Sequence, residues 1–125
     1  IVEKFYHWSD LKDGSLDLTY KKDDLLTNIM IYILTKTFNT SSWIYYGRVN
    51  EGGRILSKEG RRVEVPTGCA VYPKEFLTWP PKSYVERLFN LVHWTEMKKG
   101  GHFAALEQPS SLIKDIQDFY KKVVI

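Results

Sequence analysis

Apolar and polar positions recur along this chain with two periods, one helical and one extended, and their order predicts its elements. Leu25, Leu26, Ile29, Met30, Ile33 and Leu34 recur at helical spacing behind an acidic start at Asp23 or Asp24. The pattern loosens from Thr35 to Thr40. A second helix then carries Trp43, Tyr45, Tyr46 and Val49, with Ser41 or Ser42 as its cap and Gly52-Gly53 as its end. Residues 1–21, rich in Asp, Gly and Ser, read as loop with short turns, and the polar stretch from Arg54 to Arg62 reads as an exposed loop.

The second half has a different rhythm. Val63 to Tyr72 reads as a buried strand, disturbed by Pro66 and Gly68, which suit a strand end or a bulge. Pro81 opens a short helix through about Phe89, and Leu91 to Met97 form a second strand. Pro109 suits the first position of a terminal helix, with an apolar stripe of Leu112, Ile113, Ile116, Phe119 and Tyr120. Strand, helix, strand, helix is the signature of an α/β protein whose parallel sheet is covered by helices.

Composition narrows the function classes. The 125 residues make one domain at most, and 43% hydrophobic content suits a globular core. The 14% aromatic fraction fits either a greasy ligand or an ordinary core. A net charge of +3 with interspersed signs leaves no nucleic-acid footprint. The pairs Lys98-Lys99 and Lys121-Lys122 read as solvated and are too few to argue for a membrane surface. The single cysteine, Cys69, excludes an internal disulfide and reads as a small buried hydrophobe. No run of about 20 apolar residues is present to span a membrane, and no His, Cys and carboxylate set has metal-ligand spacing.

Candidate chemistry gathers beyond the two strands. Gly100-Gly101 put His102 on a loosened loop, where an imidazole can serve as a general base or can have no role at all. Glu75 lies just beyond the first strand, and His102 follows 27 residues later, beyond the second. In α/β folds functional groups collect at the carboxyl ends of strands, so adjacent parallel strands bring the two side by side. Glu75 then orients the ring, or it is a surface carboxylate paired with Lys74 or Lys82. His7 and His93 read as structural, and Glu107 as support for the helix N-terminus that follows it.

The decapeptide Gly100-Gly101-His102-Phe103-Ala104-Ala105-Leu106-Glu107-Gln108-Pro109 resembles the catalytic-histidine segment of microsomal-type epoxide hydrolases, which include the insect juvenile hormone epoxide hydrolases. Trp8-Ser9-Asp10 with Asp13-Gly14, the run Asp24 to Met30, Val65-Pro66-Thr67-Gly68 and Pro73-Lys74-Glu75 extend the resemblance over most of the chain. It implies an α/β-hydrolase fold, here its C-terminal portion. Residues 1–50 would be the end of the helical lid and its return to the core. Residues 51–125 would be the last two parallel strands and their helices.

The resemblance also implies roles. His102 would be the general base and Glu75 the acid that orients it. Tyr46, with Tyr45 as the adjacent competitor, would donate a proton to the epoxide oxygen. No cofactor or metal is implied. The partners would be a lipophilic epoxide, juvenile hormone or a xenobiotic, and the remaining N-terminal part of the enzyme. Membrane association, at the endoplasmic reticulum, would come through an N-terminal anchor outside these residues. No Gly-x-Asp-x-Gly elbow occurs here, and the His-Gly-rich oxyanion segment is absent too. The 125 residues are therefore expected to be the C-terminal part of an enzyme and inactive alone. The rival expectations are a haloalkane dehalogenase-like enzyme and a truncated, non-catalytic protein that binds lipophilic ligands.

Overall fold

The computed structural model describes residues 1–51 and 61–124, which fall into two compact units, Ile1–Tyr20 with Arg62–Ile125, and Lys21–Arg61. The first twenty residues pack with the second half of the chain. The expected helix end at Gly52-Gly53 and most of the expected loop from Arg54 lie outside the described residues.

The first unit opens with helix α1 (Val2–Trp8), a 3-10 turn (Lys12–Gly14) and the short α2 (Leu16–Thr19), where the sequence predicts loop. Tertiary packing overrides the weak local pattern. Phe5 of α1 is buried, stacks on Phe103 with centroids 4.1 Å apart, and meets Tyr20 edge-on at 5.3 Å. Such aromatic pairs add about 0.5–1.5 kcal/mol to the area they bury. Asp13 takes φ 50 inside the 3-10 turn, a left-handed conformation that Asp tolerates better than most residues.

Strand β1 (Val63–Val71), helix α5 (Lys82–Leu88) and strand β2 (Phe89–Glu96) form a β-α-β unit with β1 and β2 parallel. The register slips between Val63 and Pro66 and again between Thr67 and Gly68, where Pro66 and Gly68 were expected to disturb the strand. Side chains make good the lost ladder bonds. Asn90 Nδ2 donates to Glu64 O at 3.0 Å, and the Arg62 guanidinium donates twice to Phe89 O. The buried core of the described residues is Phe5, Tyr20, Tyr72 and Val85, with His93 as its polar member.

After β2 come the one-turn α6 (Ala104–Glu107) and the terminal α7 (Pro109–Val124). The apolar stripe predicted for α7 divides between two faces. Phe119 lies so close to Gly68 of β1 that a Cβ there would sit 2.9 Å from its ring. Asp115 and Lys122 on the same face clamp His93 of β2. Ile113, Ile116 and Tyr120 stay exposed. Asp115 Oδ1 lies 2.7 Å and Thr95 Oγ1 3.0 Å from His93 Nε2, while Lys122 Nζ donates to Nδ1 at 2.9 Å. Because an ammonium can only donate, Nδ1 is the acceptor and Nε2 carries the hydrogen toward Asp115.

The second unit is a helical pair, α3 (Lys22–Leu34) and α4 (Phe38–Asn50). Lys36, at φ 55, makes the turn between them. α4 starts earlier than the expected serine cap. Ser41 and Ser42 lie in its first turns, with their hydroxyls donating to Phe38 O and Asn39 O. Short polar side chains bond nearby backbone carbonyls in this way and do not need the cap position.

The clamp on His93 predicts a stability effect. Asp115→Ala leaves the buried Nε2–H without its carboxylate and is expected to lower unfolding free energy by about 1–3 kcal/mol. A fall in the denaturant midpoint at an unchanged slope checks it; an unaltered midpoint would show that the clamp does not hold α7 to the sheet.

Candidate active site

The parallel pairing of β1 and β2 does not stop at the strand ends. Met97 N–H donates to Val71 O at 2.8 Å, and Lys74 N–H donates to Gly100 O at 3.1 Å. Lys74 and Gly101 form a further parallel bridge. The residue after Lys74 and the residue after Gly101 are thereby neighbours, and these are Glu75 and His102. The Glu75 oxygens lie 3.0 and 3.1 Å from His102 Nδ1.

A carboxylate only accepts, so Nδ1 carries the hydrogen and shares it between both oxygens. Nε2 is then the basic nitrogen, and it has no hydrogen-bond partner among the described residues. The two side chains are 37% and 17% exposed, so the pair is open on the imidazole side and sheltered at the acid. Glu75 Oε1 also lies 3.4 Å from Leu77 N. The alternative pairing of Glu75 with Lys74 or Lys82 is not seen, and Lys82 pairs with Glu86.

Aromatic rings frame the imidazole. Trp8 and Phe76 stack on each other at 4.0 Å and meet His102 edge-on at 5.1 and 5.0 Å. Phe103 adds a third edge contact at 5.2 Å. Ring packing of this kind restrains rotation of the imidazole.

The backbone of the loop is fixed from outside. Gly100 N–H donates to Asp10 Oδ2 at 2.9 Å, Gly101 N–H to Glu107 Oε2 at 2.9 Å, His102 N–H to Trp8 O at 2.8 Å, and Phe103 N–H to Glu107 Oε1 at 2.9 Å. Gly100 takes φ 109, open to glycine and strained for other residues. At Gly101 a Cβ would meet Trp8 O at 2.6 Å, Asp10 N at 2.9 Å and Lys74 O at 3.0 Å, all backbone atoms. Beneath this loop Ser9 Oγ and Tyr20 Oη lie 2.5 Å apart. Burial, with the Glu107 charge nearby, pushes the Tyr20 phenol up to about 12 against the Ser9 hydrogen bond.

The remaining residues singled out from the sequence fall elsewhere. Tyr46 belongs to α4 in the second unit, 73% exposed, in a groove it shares with Asn39, Ser42, Trp43 and Gly47. Tyr45 lies outside that groove. Burial pushes the Cys69 thiol up, the direction opposite to an activated nucleophile. His7 contacts Tyr6, and His93 is enclosed in its clamp. Glu107, expected to support the helix N-terminus that follows it, bonds the amides of Asp10, Gly101 and Phe103. Sequence reasoning also missed Trp8, Asp10 and Phe76 as neighbours of His102; the one available signal was that Trp8-Ser9-Asp10 belongs to the resembling motifs.

Among the described residues, no group of three or more His, Cys, Asp or Glu is placed to hold a metal ion. No described helix is long and apolar enough to cross a membrane. The arrangement can take a proton at Nε2 from a water while Glu75 stabilises the charged ring.

No protein-family model matches the sequence. Solved structures and curated proteins do. The epoxide hydrolase of Aspergillus niger superposes with a TM-score of 0.77 at 30% identity, over 98% of this chain and 29% of that one. The juvenile hormone epoxide hydrolase of the silkworm Bombyx mori gives 0.76 at 30%, over 97% and 33%. Parallel strands with acid and histidine just past their carboxyl ends, in a fold shared with these structures, define the C-terminal portion of an α/β-hydrolase. Epoxide hydrolase 1 of Sus scrofa is 39% identical over 124 residues, which are 95% of this chain and 27% of that protein. The chain is similar to epoxide hydrolases over 95% of its length in that comparison and spans about a quarter of the length of the curated relatives it matches.

Gly101→Ala tests the loop geometry. Three backbone atoms within 3.0 Å of the new Cβ cannot give way separately. The variant is expected to lose about 1–3 kcal/mol of stability. It is also expected to lose the downfield Nδ1–H resonance of His102 in the complete protein. An unchanged resonance and midpoint would show that the strand extensions have slack.

Proposed function

We propose that this chain supplies the hydrolytic half of an epoxide hydrolase that converts lipophilic epoxides, juvenile hormone or xenobiotics, to vicinal diols. The observation that carries the reading is the Glu75–His102 pair, with no partner for Nε2 among the described residues. An aspartate carboxylate from outside these residues attacks an epoxide carbon. The C–O bond breaks, and the ring oxygen leaves with the proton donated by the Tyr46 phenol, in concert with a second donor from the rest of the enzyme. The product of this step is an aspartyl ester of the diol.

Water then attacks the ester carbonyl. His102 Nε2 takes the proton of that water, and Glu75 stabilises the imidazolium through Nδ1–H. Collapse of the tetrahedral adduct expels the diol oxygen, which takes the imidazolium proton, and leaves aspartic acid, which loses its proton to solvent and so restores the aspartate. The phenolate of Tyr46 is reprotonated from solvent before the next cycle. No cofactor enters this scheme. The remaining N-terminal part of the enzyme completes the pocket, and an anchor there would account for residence at the endoplasmic reticulum membrane.

In the complete enzyme, His102→Gln is expected to slow steady-state turnover roughly 100- to 10,000-fold, the usual worth of a general base. A covalent ester on the aspartate should accumulate, detected as a mass increase equal to that of the epoxide. Full turnover without a trapped ester would refute the assignment. Tyr46→Phe is expected to slow ester formation about 100-fold, as loss of a donor to a developing alkoxide does. Unchanged epoxide opening would move the role to Tyr45 or favour dehalogenase-type chemistry, which needs no such donor.

A further inference from the structure

Four consecutive amides, those of Gly100, Gly101, His102 and Phe103, each donate to an acceptor outside the loop. Two of the four go to a single carboxylate. Glu107 Oε2 accepts from Gly101 N–H at 2.9 Å and from Asp10 N–H at 2.7 Å, while Oε1 accepts from Phe103 N–H at 2.9 Å. Glu107 thus joins the segment after α1 to both sides of His102. Its hydrogen bonds reach no atom of the imidazole.

We propose that Glu107 is a positioning residue for His102, with Asp10 as its second. The Nδ1 contact uses both oxygens of Glu75 at 3.0 and 3.1 Å, and a displacement of about 1 Å would take the pair out of hydrogen-bond range. Glycines at 100 and 101 make the loop free to move, so its position must be imposed by partners. Charged acceptors of N–H bonds are shorter and stronger than neutral ones, and Glu107 is charged, with three such bonds on two oxygens. A glutamine has only one acceptor oxygen, and its NH2 would face an N–H, so the shape is kept and the link is broken.

This inference rests on the reading of His102 as general base. In the two-step scheme His102 acts only in ester hydrolysis. Loss of its position therefore slows the second step and spares the first, whereas a loss of folded protein lowers both together. The experiment is acid-quench mass spectrometry of the complete enzyme with a lipophilic epoxide, comparing Glu107→Gln, His102→Gln and the unaltered protein. Glu107→Gln is expected to slow ester hydrolysis about 10- to 100-fold, as a 1 Å misplacement does. Ester formation should change less than about threefold, so that the ester accumulates, and the downfield Nδ1–H resonance should be lost.

Equal slowing of both steps, or slowing of neither, overturns the role of Glu107. If His102→Gln accumulates ester and Glu107→Gln does not, this inference fails while the general base stands. If His102→Gln accumulates none, the base assignment fails and takes the inference with it. Should Glu107→Gln yield no folded enzyme, Asp10→Ala removes only the Gly100 link. It is expected to slow ester hydrolysis about tenfold, again at near-normal ester formation, and parallel slowing would overturn the proposal.

Discussion

The hydrogen bond from Lys74 N–H to Gly100 O, with the bridge from Lys74 to Gly101, is the contact on which the site depends. Parallel strands are joined by a crossover, here α5, so the residues beyond their carboxyl ends are far apart in sequence and adjacent in space. Extending the ladder by this one pair, beyond the regular strands, brings Glu75 against His102. Without it, more of the entropy of ordering the Glu75 segment against the His102 loop would fall on the acid–histidine bond and the Phe76 ring contacts.

The same extension explains why the first twenty residues belong to this unit. The loop that carries His102 has used one carbonyl on Lys74, and its four amides need acceptors that neither strand provides. Trp8 O and the Asp10 carboxylate supply two, and Glu107 supplies the others. Phe5 stacked on Phe103 and Trp8 stacked on Phe76 bury the apolar side of the same junction. Polar satisfaction and ring packing are therefore met by one segment, which is why α1 forms where local propensity predicts only loop.

Much of the fold was legible in the sequence because its signals are local. The helical period of Leu25 to Leu34, Pro109 at the start of α7 and the disturbance at Pro66 and Gly68 each act over a few residues. The neighbourhood of Glu75 and His102 was legible because strand order converts sequence distance into position. The role of Glu107 in the loop was not, since its partners at residues 10, 101 and 103 are joined only by tertiary folding. The division of the α7 stripe was equally hidden. Hydrophobic spacing marks Ile113, Ile116 and Tyr120 as core, yet the sheet-facing side is set by Asp115 and Lys122, polar residues that His93 selects.

Two histidine–carboxylate pairs occur among the described residues, and comparison of them shows what separates a structural histidine from one able to act as a base. His93 with Asp115 is the tighter, at 2.7 Å, and the more buried, with side chains 6% and 11% exposed. Both of its ring nitrogens are occupied, Nε2 by Asp115 and Thr95 and Nδ1 by Lys122, so it has no lone pair to offer a water. His102 has the longer contact to its acid and the more exposed ring, and its second nitrogen has no hydrogen-bond partner among the described residues. A general base must exchange a proton with something that arrives and leaves, so saturation of the ring excludes the role however strong the carboxylate bond is. The sequence cannot weigh this difference, because both residues read as a histidine near a strand. It is the count of partners on the far nitrogen, and not proximity to an acid, that singles out His102.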